Sequence, residues 1–460
     1  MHPELRTGSP VAEAAPPRLE RRLGFGAATT TNMLAMIGVG PFITIPLLLQ
    51  AMNGPQAMLG WLVGAVVAIA DGLIWAELGA AMPQSGGGYH YLLEAYGPKG
   101  PGRLMSFLFL WAIVTTMPLI IASGAVGFAQ YAMYLYPAMT MWQTKLLAVG
   151  VCLLATLIVH RRIDGVGRWG MALGVVVLGA AAWIIGEGVL NARLDQIVVP
   201  AGGWRLSREF FVGLGGATLY AVYDYSGYTT VCNVGGEVVR PAENIPRSIL
   251  VAIGLVAALY IAMNFSIIGV MPWRQAMQST YVVSDFVANL HGRTAASVMT
   301  VLILVASFAS VFANMLGVSR VPYAAASQGR FFSVFARLHR DGFPSWSVCF
   351  IGFTSAALCL VGLDALIRVV TVSWVIVGCL GAVAAPTALR AIRPDIRRPF
   401  RMWLYPIPSL IALTGWLFVV LTSGLTYILI GVTLLAAGAA AYLWRAERLA
   451  EWPFGTGITI

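Results

Sequence analysis

Stretches of about twenty apolar residues recur along this chain, and a helix of that length is what crosses a ~30 Å hydrocarbon core. Twelve are separable by charged or Gly/Pro breaks: roughly 26–51, 57–81, 104–136, 145–159, 167–186, 210–238, 249–270, 295–318, 347–363, 365–389, 403–423 and 425–444. Each runs continuously apolar, where barrel strands would alternate every second residue, so backbone satisfied within the segment, a helix, is expected. With 58% hydrophobic and 10% charged residues, the chain falls outside soluble, disordered, coiled-coil and disulfide-framework classes. The expected fold class is an all-α polytopic membrane protein with twelve transmembrane helices.

Basic residues set the expected orientation. Of 29 Lys and Arg, only Lys145, Arg193, Arg205, Arg208, Arg274, Arg293 and Arg368 fall on one face, and the other 22 lie on the face that carries both termini. A multi-pass protein of the cytoplasmic (inner) membrane with cytoplasmic termini is therefore expected. The net charge of +10 is spread over six loops and tails, unlike a nucleic-acid patch, so no nucleic-acid partner is expected. Residues 1–22, rich in Pro, Ala and charge without an apolar core, read as a disordered cytoplasmic tail. Cys152, Cys232, Cys349, Cys359 and Cys379 fall inside spans as packing residues, and the five His show no ligand spacing. No metal, cofactor or enzymatic chemistry is implied.

Three segments are irregular. Gly38-Val39-Gly40-Pro41-Phe42 interrupts span 1, where two glycines and a proline weaken a continuous helix by a few kcal/mol. Two half-helices, with Pro41 in the first turn of the outer one, or a proline kink relieved by neighbours both fit. Tyr223-Asp224-Tyr225-Ser226-Gly227-Tyr228 interrupts span 6 beside a carboxylate. Paired interruptions at corresponding positions point to a transporter site, because free N–H and carbonyl groups can replace a solute's water shell. Residues 83–98, with Gly86-Gly87-Gly88, are too polar to span and read as a cytoplasmic loop.

At these residues the chain resembles the amino acid-polyamine-organocation permeases. The likeness rests on Gly38, Gly40 and Phe42, on Ala76-Glu77-Leu78 with Pro83, Gly87, Gly88, Tyr89 and Tyr91, and on Tyr225, Gly227, Tyr228, Glu237, Pro241, Ile245 and Pro246. Ser319-Arg320 with Tyr323, and the loop ending Asp341-Gly342-x-Pro344, add a fourth motif in order. The resemblance implies a LeuT-type five-plus-five inverted repeat, over 23–192 and 208–392, with two appended helices over 403–447. It also implies a solute site on the backbone of Ile37, Gly38, Val39, Gly40, Phe42 and Ile43, facing that of Tyr223, Asp224, Tyr225, Ser226, Gly227 and Tyr228. Tyr228 would be an aromatic gate, and Glu77, Glu237 and Arg320 would serve the cytoplasmic closure.

Departures narrow the expectation. Some proton-coupled relatives use a lysine in helix 5, whereas the only lysines here are Lys99 and Lys145 and the aligned position falls near Gly174. Proton or sodium coupling stays open, with Asp71, about 16 Å of helix from the inner end of span 2, and Ser307 and Ser310 on span 8 as candidates. Those two hydroxyls can serve a sodium ion or bond back to their own helix. The loop 137–142 lacks the cysteine through which heteromeric relatives bridge, so no disulfide-linked subunit is expected. Asp224 is either the counter-charge for an ammonium or the partner of Arg208 or a helix end; Pro41 removes a donor that a solute carboxylate would use. Together these lean toward a cationic amino acid or polyamine. No phosphate-binding loop is present, so the expected activity is secondary active transport of an amino acid or amine by alternating access. A channel or receptor would instead need a charged pore ring or a ligand domain.

Overall fold

The computed structural model of the protein describes residues 21–84, 86–160, 166–337 and 344–455, the side chains of residues 160, 166–174 and 194 excepted. The expected tail before residue 21, Ser85, the arginines at 161 and 162, and Asp341-Gly342 of the fourth motif lie outside these residues, as does any side-chain test of the Gly174 position. The first half contains α1 (Phe25–Met36), α2 (Gly40–Met52), α3 (Leu59–Ala81), α4 (Gly88–Ala95), α5 (Gly102–Leu135), α6 (Met141–His160) and α7 (Val166–Asn191). Then come α8 (Arg208–Tyr225), α9 (Thr230–Asn233), α10 (Pro241–Val270), α11 (Trp273–Gln278) and α12 (Val282–Ser327). The chain closes with α13 (Ser345–Leu358), α14 (Leu363–Trp374), a π turn at Val375–Cys379, α15 (Leu380–Ile392), α16 (Ile407–Thr422) and α17 (Leu425–Arg448).

Among the described residues seven helices are long and apolar enough to cross a membrane, and eight if α1 and α2 form one span bent by 51°. Each of the twelve apolar segments contains helix, but four lie outside this set of eight. α13 has 14 residues and α16 has 16, the 18 residues of α8 include Arg208, Glu209 and Asp224, and of the 26 residues of α7 only Val175–Asn191 is described with its side chains. The architecture is that of an all-helical, multi-pass membrane protein. Leu62, Val66 and Ile69, three to four residues apart on α3, are 40–54% exposed and form an outward apolar stripe suited to lipid.

The polar stretch after α3 is not all loop. Gly87 takes φ +55° and starts α4, which docks where a Cβ on Gly88 would meet Trp75 and Phe109. Arg22, expected in the tail, is held instead: its N–H and that of Leu23 both donate to the Glu237 carbonyl, at 2.8 and 2.9 Å, beside a bridge between Leu23 and Val238.

The core pairing is between α3 and α8. Cβ atoms on Gly60 and Gly64 would stand 2.7 and 3.0 Å from Ala217 and Ala221, so glycine there lets the backbones close up. Farther along, Tyr228 meets Asp71 and Cys232 meets Trp75 at the same separation of 157 residues, so the two elements run parallel. The α1–α2 pair runs the other way: Ala51 lies by Gly213 and Gly216, Thr44 by Asp224, Ala35 by Gly227 and Asn32 by Val231. The two interrupted elements are thus antiparallel neighbours that meet at their breaks.

Candidate functional site

α1 ends at Met36, residues 37–39 leave the helix, and Gly40 begins α2 with Pro41 in its first turn, where the missing N–H costs no bond. The unwound part is shorter than expected, because Gly40, Phe42 and Ile43 are already helical and the Phe42 N–H returns to Val39 O at 3.0 Å. The side chains of Ile37, Val39, Phe42 and Ile43 are buried, those of Val39 and Ile43 beside Gly124 and Gly127 of α5. Their backbone is what the break presents. Neighbouring tyrosines hold its edges, Tyr260 donating to Met36 O at 2.9 Å and Tyr131 to Phe42 O at 2.7 Å.

The break in the partner element is also displaced from the expected position. Tyr223, Asp224 and Tyr225 form the last turn of α8, and the helix opens only over residues 226–229. Gly227 takes φ +122°, and a Cβ there would stand 2.7 Å from the Ala35 carbonyl carbon. Its carbonyl accepts from the Thr230 N–H at 3.0 Å and so starts α9, while Asn32 on α1 caps the Val231 N–H at 2.9 Å. Ser226 is exposed although Tyr225 and Tyr228 on either side are buried, so the break opens toward accessible space.

Asp224 sits where the two elements meet. It is 3% exposed, its Oδ2 accepts from Thr44 Oγ1 at 2.5 Å, and its Oδ1 has no hydrogen-bond partner among the described residues. A methyl on Gly40 would collide with the carboxylate, so Asp224 faces the first residue of α2, the positive end of that half-helix. Asp224 borders this helix end without a hydrogen bond to it, and it is not paired with Arg208, which begins α8 about 24 Å away along the helix. Tyr223 borders the same point, with its hydroxyl 2.7 Å from Ser123 Oγ.

The remaining candidates separate. Tyr225 packs edge-on to Trp61 and against Tyr260. Tyr228 turns its hydroxyl onto Asp71 Oδ2 at 2.7 Å. Ser307 bonds back to Ile303 O at 2.7 Å, whereas Ser310 Oγ would stand 3.1 Å from a Cβ on Gly38 and so lies at the first break. Glu77, Glu237 and Arg320, expected at a cytoplasmic closure, make no contact with one another among the described residues. Fully buried Glu77 is gripped by Arg390, with Nη2 2.7 Å from Oε1 and 2.9 Å from Oε2, and also accepts the Met402 N–H at 2.8 Å. Arg320 stands exposed on α12, and Glu237 lies in a 3-10 turn. Two surface cavities, of about 350 and 530 Å³, are lined by residues outside both breaks.

Two interrupted helices meeting at a buried carboxylate, inside a helical membrane protein, define a membrane transporter. The family described as Amino acid permease matches residues 23–443. Similar proteins include the large neutral amino acids transporter small subunit 2 of Rattus norvegicus, 28% identical over 90% of this chain and 79% of its own length. The Asc-type amino acid transporter 1 of Mus musculus is 27% identical over 93% and 82%, and solute carrier family 7 member 13 of Mus musculus is 26% identical over 84% and 81%. The chain belongs to the amino acid permease family of the amino acid-polyamine-organocation superfamily; it is a transporter of amino acids or amines and not an enzyme.

Proposed function

We propose that the protein is a twelve-span secondary carrier for a cationic amine, bound between the two breaks with its ammonium against Asp224. The observation that carries this reading is the free Oδ1 of a buried carboxylate at the junction of α2 and α8. An intramembrane carboxylate costs about 2.5–3.5 kcal/mol on insertion scales unless it is paired, and a solute ammonium would supply the pair. The same geometry disfavours a solute carboxylate: Asp224 already faces the N-terminus of α2, and Pro41 offers no N–H there. Backbone of residues 37–40 and 226–229, with Tyr223, Ser226 and Tyr228, would complete the site, and Ser310 would form its wall.

The antiparallel pairing of the two broken elements supports an inverted repeat over 23–192 and 208–392, since a twofold axis in the membrane plane reverses helix direction. On that reading α13 and α16 are spans completed by their flanks, and together with α7 and the α8–α9 element they bring eight to twelve. The arginine bias supports cytoplasmic termini in the inner membrane, and a chain without a cysteine in the loop 137–142 would work without a disulfide-linked subunit. Glu77 and Arg390 would then close the cytoplasmic side.

A second reading, transport of neutral amino acids, is favoured by the names of the relatives. Uptake of radiolabelled putrescine, arginine and leucine into proteoliposomes separates the two. Counterflow of putrescine or arginine, weakened about 30-fold or more in Asp224→Asn, supports the cationic site. Leucine counterflow that Asp224→Asn leaves intact rejects it, and unsaturable conductance would point to a channel.

A further inference from the structure

A second buried carboxylate lies outside the junction and touches the proposed amine site only through Tyr228. Asp71, at mid-length of α3, is 1% exposed. Its Oδ2 accepts from Tyr228 at 2.7 Å and its Oδ1 from the Trp416 indole at 3.2 Å. Facing it are Tyr228 from the α8–α9 break, Trp416 from α16, Cys379 from the π turn and Trp75 from its own helix. On the α10 side, Ile249 and Ile253 pack on the adjacent Gly72. None of these groups is a cation. The nearest ion pair along α3, Glu77 with Arg390, is six residues on, about 9 Å of helix.

A carboxylate ringed only by neutral donors can neutralise itself in one way, by taking up a proton. We infer that Asp71 is a proton-binding site linked through Tyr228 to the solute site, and that the protein exchanges protons for its amine. The inference rests on the carrier reading above.

The link is the tyrosine hydroxyl, which is one donor and an acceptor. With Asp71 ionised, the Tyr228 proton points at Oδ2 and the oxygen lone pairs are left for the break, where they can accept from an ammonium. When Tyr228 passes that proton to Oδ2, its oxygen takes one from a hydronium ion that reaches the break, leaving water; the carboxylate becomes a carboxylic acid and the phenol is regenerated. The acid then donates to the Tyr228 oxygen, the lone pair is occupied, and one negative charge has left the neighbourhood of the cation. Proton and ammonium therefore oppose each other in a region of low dielectric, which is the thermodynamic requirement for exchange. Trp416 ties the switch to α16, so an appended helix would tune the proton affinity. The π turn that brings up Cys379 is a local irregularity of the kind that recurs at functional positions.

The test uses the full chain in proteoliposomes, with putrescine and arginine as probes and protein-free liposomes as the background. Expected are counterflow of at least one probe, and uptake stimulated about tenfold or more by an acidic interior. Asp71→Asn should keep counterflow and lose the stimulation. Trp416→Phe, which withdraws a donor from the ionised form, should move the half-maximal pH of uptake about one unit toward alkaline. This second variant decides the matter if Asp71→Asn does not fold. Counterflow without any response to the pH gradient, a full response in Asp71→Asn, or an unmoved profile in Trp416→Phe overturns the inference while leaving the carrier reading intact. Absence of counterflow with both probes defeats the cationic carrier itself and the exchange with it.

Discussion

Replacing Gly227 by alanine tests whether the close approach of the two breaks makes the transport site. Two costs arise there. With φ at +122°, any residue with a Cβ is strained by about 1–3 kcal/mol. The added methyl would also stand 2.7 Å from the Ala35 carbonyl carbon and oxygen and 2.9 Å from the Met36 nitrogen. Unstrained carbon contacts lie near 3.5–4.0 Å, so the end of α1 must retreat by about 0.8 Å or more, at an overpacking cost of about 1–3 kcal/mol. Those atoms are backbone and cannot rotate aside. Gly424 supplies the control: its φ is +103°, yet a Cβ there would meet only a Tyr427 ring carbon at 3.7 Å. Gly424→Ala therefore carries the strain without the clash. At about 1.4 kcal/mol per tenfold, the difference predicts a maximal uptake rate over KM that is about 5- to 150-fold lower in Gly227→Ala than in Gly424→Ala. The measurement is initial-rate uptake in proteoliposomes, with equal protein incorporation for both variants. Rates within twofold of each other would refute the claim that the seam between α1 and residues 226–229 shapes the site.

Glu77→Gln should lower the thermal stability of the detergent-solubilised protein by about 3–5 kcal/mol, the cost of leaving Arg390 without its buried partner. The double variant Glu77→Gln with Arg390→Gln should recover part of that loss, and a single variant as stable as the parent would contradict a stabilising role for the pair. His90, on α4 outside the spans, has its pKa lowered by burial, with nearby Arg330 acting in the same sense and Glu94 opposing. Its imidazole is therefore kept neutral in the folded state while the unfolded chain takes a proton near pH 6.5. Stability is full above pH 6.5 and falls as the pH drops from there toward the lowered folded value. Melting curves recorded between pH 7.5 and 5 should slope accordingly, and His90→Gln should flatten the slope; an equal slope in both proteins contradicts the assignment.

What could be read in the sequence was whatever is written locally. Gly38, Gly40 and Pro41 lie within four residues of one another, and their combined effect on a helix locates the first break to within a residue or two. The second break was displaced because glycine acts at one backbone position. Tyr223, Asp224 and Tyr225 can complete a helical turn, and the chain leaves the helix at Ser226, with ψ 140°, and Gly227, with φ +122°. Composition likewise located twelve apolar stretches, but 14 helical residues in α13 and 16 in α16 show that an apolar stretch and a straight helix have different ends. Partnerships between distant residues were hidden for a different reason. Thr44 meets Asp224 across 180 residues, Glu77 meets Arg390 across 313, and Asp71 meets Trp416 across 345. No short-range pattern encodes such pairs, and they follow only once α3 lies parallel to α8 and α2 antiparallel to it. That arrangement also explains why two carboxylates can stand inside one apolar bundle. Each reaches the α8–α9 element just before or within its break, where Asp224 keeps one oxygen unpartnered and Asp71 is met by a tyrosine of the open stretch. The offset of 157 residues between α3 and the α8–α9 element is the same before and after the break, so Tyr228 reaches Asp71 in the register set by Gly60 and Gly64, and its hydroxyl makes the second carboxylate tolerable.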